Sequence, residues 1–211
     1  MAKNIKMFKM KLRSKFRAYR ENLNEEKKHF MDEKILNKIL ILNAYKFADI
    51  IFTYVSKNIE VDTLKLMETS WEDGKKVAAP KCKPETRAMD FYVINSFDDL
   101  EKGTFGLSEP IPSKCEKITD FSKGVCIVPG FCFDNQGFRL GYGYGYYDRF
   151  LQNFQGTTIG VCYAESMIQK LPHGRFDRPV DILLTDRYIK EINNKKRFSK
   201  EVSHYEKIYK N

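Results

Sequence analysis

The chain has 211 residues, of which 42% are hydrophobic and 31% are charged, a composition typical of one globular domain rather than a disordered or fibrous chain. No apolar run approaches the ~18 residues that a membrane span needs, and the basic start is not followed by the apolar stretch of a signal peptide. Five cysteines, none at C-x-x-C spacing, favour reduced and mostly buried thiols in a cytoplasmic protein.

The net charge of +9 raises the question of nucleic-acid binding. Residues 1–20 carry eight Lys or Arg and no acid, and residues 187–211 carry eight Lys or Arg against three Glu. The body between them, residues 21–186, holds 21 basic and 25 acidic residues. Because nucleic-acid-binding proteins usually spread a basic patch over one face, this terminal distribution argues against a nucleic acid as the partner.

The first predicted element is an amphipathic helix over residues 5–23. Its apolar residues recur at steps of three and four, which marks a single apolar stripe. Beside that stripe, Lys9, Arg13 and Arg17 form a basic row at i, i+4 spacing. Spacing alone favours a solvated basic face for this row.

The rest of the chain alternates predicted strands with predicted helices. Asn24, followed by two glutamates, predicts the N-cap of the second helix. Helices are predicted over residues 24–42, 63–73, 96–102, 146–154 and 164–171, and strands over 48–55, 76–80, 89–94, 124–130, 157–163 and 181–186. This alternation predicts βαβ units and a mostly parallel sheet covered on both faces, in a single domain. Residues 187–211 lose the apolar periodicity and are predicted to form a basic tail or a docked helix.

The stretch "RLGYGYGYYDRFL", residues 139–151, carries three glycines at alternate positions. Such a loop can turn successive N–H groups inward as an anion-binding concavity, and the helix that follows adds the positive end of its dipole. As a general pattern it is equally typical of a tight irregular turn. Asp148 follows one turn into the helix, and Asp177 and Asp181 lie downstream. Carboxylates near a phosphate-binding loop suggest magnesium, although each aspartate also fits an N-cap or a surface salt bridge.

A longer run around this loop, "VPGFCFDNQGFRLGYGYGYYDRFL", closely resembles the characteristic motif of the 5-formyltetrahydrofolate cyclo-ligase family, also called methenyltetrahydrofolate synthetases. The resemblance extends from Lys9 to Asp186 and includes "YVSKNIEVDT", "PKC", "MDFY", "GTFGLSEP" and "RPVDILLTD". It implies a three-layer α/β/α fold, with residues 1–186 as the cyclo-ligase-like domain. It also implies ATP- and Mg²⁺-dependent cyclisation of 5-formyltetrahydrofolate to 5,10-methenyltetrahydrofolate. The substrate is expected with or without a polyglutamate tail, and the enzyme is expected to be a monomer.

The resemblance also implies a role for individual residues. It implies ATP contacts at Lys9, Arg13, Arg139, Leu140, Gly141, Tyr142, Gly143, Tyr144, Gly145, Tyr146 and Tyr147, with Arg139 and Tyr147 as the catalytic pair. It implies folate contacts at Val55, Glu60, Phe105, Tyr142, Gly143, Tyr144, Gly145 and Tyr146. It implies Asp148 and Asp181 as the magnesium ligands.

The chain departs from the family pattern within the glycine stretch. Family members often carry Arg or Lys between the glycines, whereas this chain has Tyr142 and Tyr144. The substitution removes up to two positive charges from the triphosphate site, so Lys9, Arg13, Arg139 and Lys81 would have to neutralise it together with magnesium. The two tyrosine rings offer stacking surfaces to the pterin or the adenine instead.

Two other classes of function stay open at this point. A phosphosugar isomerase or a CoA-transferase-like enzyme on a related α/β scaffold would need a catalytic glutamate or base and would not depend on ATP. A basic-ended module that binds RNA or a membrane surface would lose affinity steeply with salt. His173, in the "LPHG" segment, is interpreted as a loop residue rather than an acid–base catalyst.

Overall fold

The computed structural model describes residues 2–192, except for the side chains of residues 2, 3 and 105. Five α-helices occur in this part of the chain: α1 (Ala2–Glu21), α2 (Glu25–Ile41), α3 (Asn43–Lys46), α4 (Leu64–Glu72) and α5 (Tyr146–Asn153). As predicted, Asn24 caps α2, because its side chain accepts a hydrogen bond from the Lys27 N–H. Within the described residues, no helix has the length and apolar character needed to cross a bilayer.

Thirteen strands are found in the same residues. They are β1 (Ile50–Phe52), β2 (Lys76–Lys83), β3 (Ala88–Ile94), β4 (Leu100–Lys102), β5 (Ser108–Pro110), β6 (Lys117–Ile118), β7 (Val125–Pro129), β8 (Cys132–Asp134), β9 (Arg139–Leu140), β10 (Thr157–Val161), β11 (Met167–Ile168), β12 (Ile182–Leu184) and β13 (Ile189–Glu191). Eight of them form the central sheet, in the order β13-β12-β10-β7-β1-β2-β3-β6. The pairs from β12 to β2 are parallel, and the remaining pairs at the two edges are antiparallel.

Alternate residues of the central strands face two different hydrophobic clusters. In β7, Val125 and Ile127 join the cluster that contains α2 and α3, whereas Cys126 and Val128 join the cluster that contains α5. A strand places successive side chains on opposite faces, so helices cover the sheet on both sides. The predicted three-layer α/β/α architecture with a mostly parallel sheet is therefore confirmed.

The helix α1 lies over a small hairpin that follows β7. Strands β8 and β9 form this hairpin, and β11 extends it to three strands. Phe16 of α1 packs with Phe131 and Leu140 of the hairpin, while Tyr19 and Leu23 pack against the cluster around α2. The amphipathic stripe predicted for the first helix thus joins the hairpin to one face of the sheet.

Two predicted helices are wrong. Residues 97–99 form a single 3₁₀ turn and then enter β4, because Leu100 pairs with Pro110 in a two-stranded ribbon. Residues 164–166 likewise form a 3₁₀ turn, after which β11 pairs with β8 and Met167 lies opposite Phe133. In both segments, pairing with a distant strand overrides a weak local preference for helix.

The segment after residue 186 begins as part of the sheet. Strand β13 pairs antiparallel with β12 at the edge, and Glu191 lies opposite Ile182. The first residues of the predicted basic tail or docked helix are therefore an edge strand, and residues 193–211 lie outside the described residues. All five cysteines are free thiols, and Cys126, Cys132 and Cys162 are buried, as expected from their number and spacing.

Candidate active site

The glycine stretch lies between the hairpin and α5, on the route from the carboxyl end of β7. Ligands of open α/β sheets bind at this edge, so the stretch lies where the fold favours a binding site. Gly143 has φ +104° and Gly145 has φ +77°, both in the left-handed region that other residues rarely adopt. Gly145 is the residue directly before α5. Two of the three glycines are thus required by the backbone conformation of the loop itself.

Two members of the basic row of α1 contact protein groups near this loop. The Arg13 Nε–H donates a hydrogen bond to the Gly141 carbonyl at 2.8 Å. Lys9, one turn earlier, lies with its Nζ 3.7 Å from a carboxylate oxygen of Asp177. The Arg13 guanidinium is partly removed from water, and this burial lowers its pKa. The solvated-face interpretation of Lys9 and Arg13 is therefore wrong.

Arg139 and Tyr147 lie together beneath the loop. The Arg139 Nη2 lies 2.7 Å from the Asp148 Oδ1, and its Nη1 donates to the Arg178 carbonyl at 3.0 Å. The Arg139 side chain is only 4% exposed, and its guanidinium lies 5.8 Å from the centre of the Tyr147 ring. The Tyr147 hydroxyl is buried and has no hydrogen-bond partner in the part of the chain that the structure describes. Burial also raises the pKa of Tyr147, so this hydroxyl stays protonated.

Glu60 contacts the glycine loop directly. Its side chain is almost fully buried; Oε2 accepts the Lys57 N–H at 3.0 Å, and Oε1 accepts the Tyr142 hydroxyl at 3.1 Å. The Tyr142 ring packs edge-on against Phe131, with centroids 4.7 Å apart. Burial, followed by the charge of Glu60, raises the pKa of Tyr142. The residue implied for folate binding and the loop implied for ATP binding are therefore in contact.

The remaining residues of the loop have different surroundings. Leu140 is buried against the α1 side of the hairpin. The Tyr144 ring is exposed, with its centroid 6.2 Å from that of Tyr146, and Tyr146 packs against the cluster around α5. Arg149 of α5 donates to the carbonyls of Tyr144 and Gly145, each at 3.1 Å. The loop is thus anchored from both sides, by α1 and by α5.

Val55 lies away from the contact between Glu60 and Tyr142. It borders an open depression of about 570 Å³, together with residues that include Ser56, Leu64, Leu100, Lys102 and Leu107. Phe105 belongs to the short 3₁₀ turn beside this depression, but its side chain lies outside the described residues. Glu60 does not line the depression. Of the residues implied for folate binding, the structure brings Glu60 to the glycine loop and leaves Val55 at a neighbouring surface.

The two implied magnesium ligands have different protein partners. Asp148 pairs with Arg139 through Oδ1, whereas the Oδ2 of Asp181 accepts the Thr158 N–H at 2.9 Å and the Thr158 hydroxyl at 2.7 Å. Residues 2–192 contain no cluster of three or more His, Cys, Asp or Glu side chains suited to hold a metal ion. Carboxylates are nevertheless the ligands that Mg²⁺ prefers, and Mg²⁺ commonly takes one or two of them together with phosphate oxygens and water. Asp148 directly follows the glycine loop and suits such a role, whereas Asp181 precedes β12 and is bonded to Thr158.

Some residues of this region were missed by the sequence reasoning. Arg20 is buried and donates to the carbonyls of Gly130 and Phe131, where the chain leaves β7. Its place two turns after Arg13 on the same helix could have indicated it. Glu109 is also buried and accepts the N–H groups of Cys82 and Thr104, which holds the turn that contains Phe105. The "GTFGLSEP" motif contained this glutamate but did not reveal its role.

Two residues considered in the sequence have structural roles. The Lys81 Nζ lies 3.0 Å from a carboxylate oxygen of Glu101 and 3.1 Å from the Pro110 carbonyl, so it is already paired. His173 stacks on Phe138 with the ring centroids 3.7 Å apart and the planes nearly parallel. The interpretation of His173 as a loop residue agrees with this packing.

The sequence profile of the 5-formyltetrahydrofolate cyclo-ligase family matches residues 5–186. Among curated relatives, the 5-formyltetrahydrofolate cyclo-ligase of Haemophilus influenzae is 28% identical over 181 residues, which cover 83% of this chain and 97% of the relative. The enzyme of the same name from Escherichia coli is 27% identical over 173 residues, which cover 80% and 95% of the two chains.

Solved structures give the same result. The NMR structure of Aquifex aeolicus 5,10-methenyltetrahydrofolate synthetase matches with a TM-score of 0.76 at 31% identity, covering 88% of this chain and 93% of that one. The synthetase from Mycoplasma pneumoniae matches with a TM-score of 0.64 at 22% identity, which supports the fold alone. With a family profile that spans most of its length, the chain belongs to the 5-formyltetrahydrofolate cyclo-ligase family.

Proposed function

We propose that the protein cyclises 5-formyltetrahydrofolate to 5,10-methenyltetrahydrofolate, with ATP converted to ADP and phosphate. The observation that carries this proposal is the 3.1 Å hydrogen bond from the Tyr142 hydroxyl to Glu60. Tyr142 belongs to the loop assigned to ATP, and Glu60 is the carboxylate assigned to the pterin. A transfer from one substrate to the other requires adjacent sites, and this contact supports placing the two sites side by side.

ATP binds with its phosphates over the glycine loop in this proposal. Arg13 lies against the loop from α1, and Arg139 lies beneath it with its guanidinium shielded from water. Cations in such surroundings attract phosphate oxygens more strongly than solvated ones do. The N–H groups of the loop and the N-terminus of α5 add further donors. Lys9, whose 3.7 Å ion pair is long, contributes a flexible charge at the far side.

The pterin binds with Glu60 as its anchor. A buried carboxylate can accept hydrogen bonds from the exocyclic amine and the adjacent ring N–H of a pterin, a pairing that distinguishes folates from most other substrates. Val55 and the depression beside it are assigned to the rest of the folate, and Phe105 to its flank, as the family resemblance implies. Tyr144 and Tyr146 border the same site.

The reaction needs no protein nucleophile. The formyl oxygen attacks the γ-phosphorus of ATP, the bond between that phosphorus and the bridging oxygen breaks, and ADP leaves. The anilino nitrogen then attacks the activated formyl carbon and loses its proton, while the carbon–oxygen bond breaks and releases phosphate. The protein aligns the reactants and offsets charge, which are the main sources of catalysis in phosphoryl transfer. Arg139 neutralises the phosphates, and Tyr147 donates its buried hydroxyl toward them.

Magnesium would be held by Asp148 and Asp181 in this scheme. When bound, Mg²⁺ would neutralise and orient the phosphates of ATP. The position of Asp148 in the first turn of α5, directly after the loop, supports this role. Asp181 is assigned on the family resemblance, and its carboxylate is held by Thr158 just before β12.

One assay tests the proposal and separates it from its alternatives. The protein is incubated with 5-formyltetrahydrofolate, ATP and Mg²⁺, and formation of the methenyl product is followed by its near-ultraviolet absorbance. We expect product only when all three are present, with one ADP formed per methenyl group. ATP-independent turnover of a phosphosugar or a CoA thioester, or binding of RNA that falls steeply with salt, would support the other classes instead.

The setting of the reaction is proposed on the same basis. We place the enzyme in the cytoplasm and treat it as a monomer that accepts 5-formyltetrahydrofolate with or without a polyglutamate tail. Five free thiols suit a reducing compartment. Light scattering of the purified protein at its assay concentration measures the molar mass and so tests the proposed monomeric state.

A further inference from the structure

The contacts of α1 follow one line along the edge of the sheet. Lys9 contacts Asp177, Arg13 contacts the glycine loop, Arg17 covers the Phe131 ring, and Arg20 reaches the end of β7. Because a helix rises 1.5 Å per residue, the backbone of Arg17 lies about 6 Å beyond that of Arg13. This displacement leads away from Lys9 and toward the Glu60 side of the loop.

Among the cations near the loop, Arg17 differs in having no polar partner. Arg13, Arg139 and Arg149 all have hydrogen bonds or ion pairs with protein groups. Arg17 is exposed, and within residues 2–192 it has no hydrogen bond and no ion pair. Its guanidinium contacts the Phe131 ring, with its central carbon 5.6 Å from the ring centre. An arginine held on an aromatic face keeps its five N–H donors available.

Arg17 is linked through one aromatic ring to the junction of the two proposed substrate sites. Phe131, on which Arg17 lies, packs at 4.7 Å against Tyr142, and Tyr142 bonds to Glu60 at 3.1 Å. The same short chain of contacts therefore joins Arg17 to both the glycine loop and the pterin carboxylate. In a transfer from ATP to the formyl oxygen, the phosphoryl group must cross this junction.

We propose that Arg17 binds the phosphoryl group while it passes from ATP to the formyl oxygen. The assignment rests on the proposed function and adds a residue to it. The transferring group carries its charge on three equatorial oxygens, and a planar guanidinium can bond two of them at once. Arg17 thereby supplies, from α1, the charge that Tyr142 and Tyr144 do not supply from the loop.

The test compares charge variants of α1 in the methenyl-forming assay. Arg17→Gln removes the charge and is expected to lower kcat by about 10–100-fold, with the KM for 5-formyltetrahydrofolate unchanged. Arg17→Lys keeps the positive charge but lacks the planar guanidinium that can bond two oxygens at once, so it should recover part of the lost kcat. Lys15→Gln is the matched control, because it removes an exposed positive charge from the same helix. The Lys15 Nζ lies over the Phe16 ring rather than over Phe131. Lys15→Gln should retain the kcat of the unsubstituted protein.

A second variant tests whether the loss of positive charge causes the lower kcat of Arg17→Gln. Tyr144→Lys placed in the Arg17→Gln background restores a cation to the loop and should raise kcat again. Equal kcat for Arg17→Gln and the unsubstituted protein would overturn the role of Arg17 and leave the proposed function standing. If the unsubstituted protein forms no methenyl product, the proposed function fails and Arg17 fails with it. A loss that appears as a lower unfolding temperature, with kcat intact below it, would make Arg17 a packing residue.

Discussion

The Arg13 Nε–H donates to the Gly141 carbonyl at 2.8 Å, which fixes the first helix to a loop 128 residues later in the chain. This bond places a partly buried cation at the proposed phosphate site and uses only one of its five donors. Arg13→Ala should therefore raise the KM for ATP at least tenfold, because a charge-assisted hydrogen bond contributes about 1.5–3 kcal/mol. Initial rates measured over a range of ATP concentrations, at saturating folate, check the expectation.

Displacement of the glycine loop is the competing explanation for a higher KM for ATP in Arg13→Ala. Lys11→Ala, an exposed position on the same helix, serves as the control for helix stability. Arg13→Lys retains the charge but cannot reproduce the Nε geometry, so it separates attraction of phosphate from anchoring of the loop. An unchanged KM for ATP in Arg13→Ala would mean that Arg13 has a purely structural role.

Glu60 gives the sharpest test of the pterin site. Glu60→Gln keeps the size of the side chain but replaces one acceptor with a donor, so a pterin amine and the side chain would both present hydrogens. We expect the dissociation constant for 5-formyltetrahydrofolate to rise about tenfold or more while that for ATP stays within about twofold. Titration calorimetry with each substrate alone measures both values.

The Tyr142 hydroxyl provides the control for this experiment. Tyr142→Phe removes the donor to Glu60 and leaves its carboxylate bonded to the Lys57 N–H. If Glu60 anchors the pterin, Tyr142→Phe should retain much more folate affinity than Glu60→Gln does. Equal losses in both variants, with equal falls in unfolding temperature, would mean that the bond serves only to hold the loop.

The sequence predicts much of this arrangement, and the remainder depends on long-range contacts. Predicted strands alternate with predicted helices along the chain, and this order indicates a mostly parallel sheet covered on both faces, so the layers could be predicted. The 97–102 and 164–168 segments could not, because their strands exist only through pairing with residues 108–110 and 133–134. The same limit applies to the site. The resemblance assigned Arg13, Glu60 and Asp148, but only folding shows that Tyr142 meets a carboxylate 82 residues away.

Asp148 is expected to couple magnesium to the arginine beneath the loop. Asp148→Asn keeps the shape but removes the charge that the cation needs and that Arg139 pairs with at 2.7 Å. Turnover should fall strongly and recover in part at high Mg²⁺ or with Mn²⁺. Activity measured as a function of metal concentration gives the apparent metal constant, which should rise in the variant.

Because the Arg139 side chain is nearly buried, the same variant should also unfold at a lower temperature. The metal titration must therefore be made well below that temperature. Asp181→Asn is the companion variant, since its partner is Thr158 rather than an arginine. A variant of Asp148 that loses stability but keeps both its specific activity and its metal constant would remove Asp148 from the metal site.

The glycines of the loop respond differently to an added methyl group, and this difference separates a phosphate cradle from a tight turn. At Gly143, φ is +104° and a Cβ would lie 3.0 Å from the Arg13 Nη2, so Gly143→Ala is strained even without a ligand. At Gly141, nothing lies within 4 Å of a Cβ and φ is outside the left-handed region. Gly141→Ala should therefore fold as well as the unsubstituted protein, and only a bound phosphate would meet the new methyl group. We expect a rise of about tenfold or more in the KM for ATP at an unchanged unfolding temperature. Gly174→Ala, which also has open space around its Cβ but lies outside the loop, should change neither value. If Gly141→Ala binds ATP normally, the glycine stretch is a turn and the triphosphate lies elsewhere on this edge of the sheet.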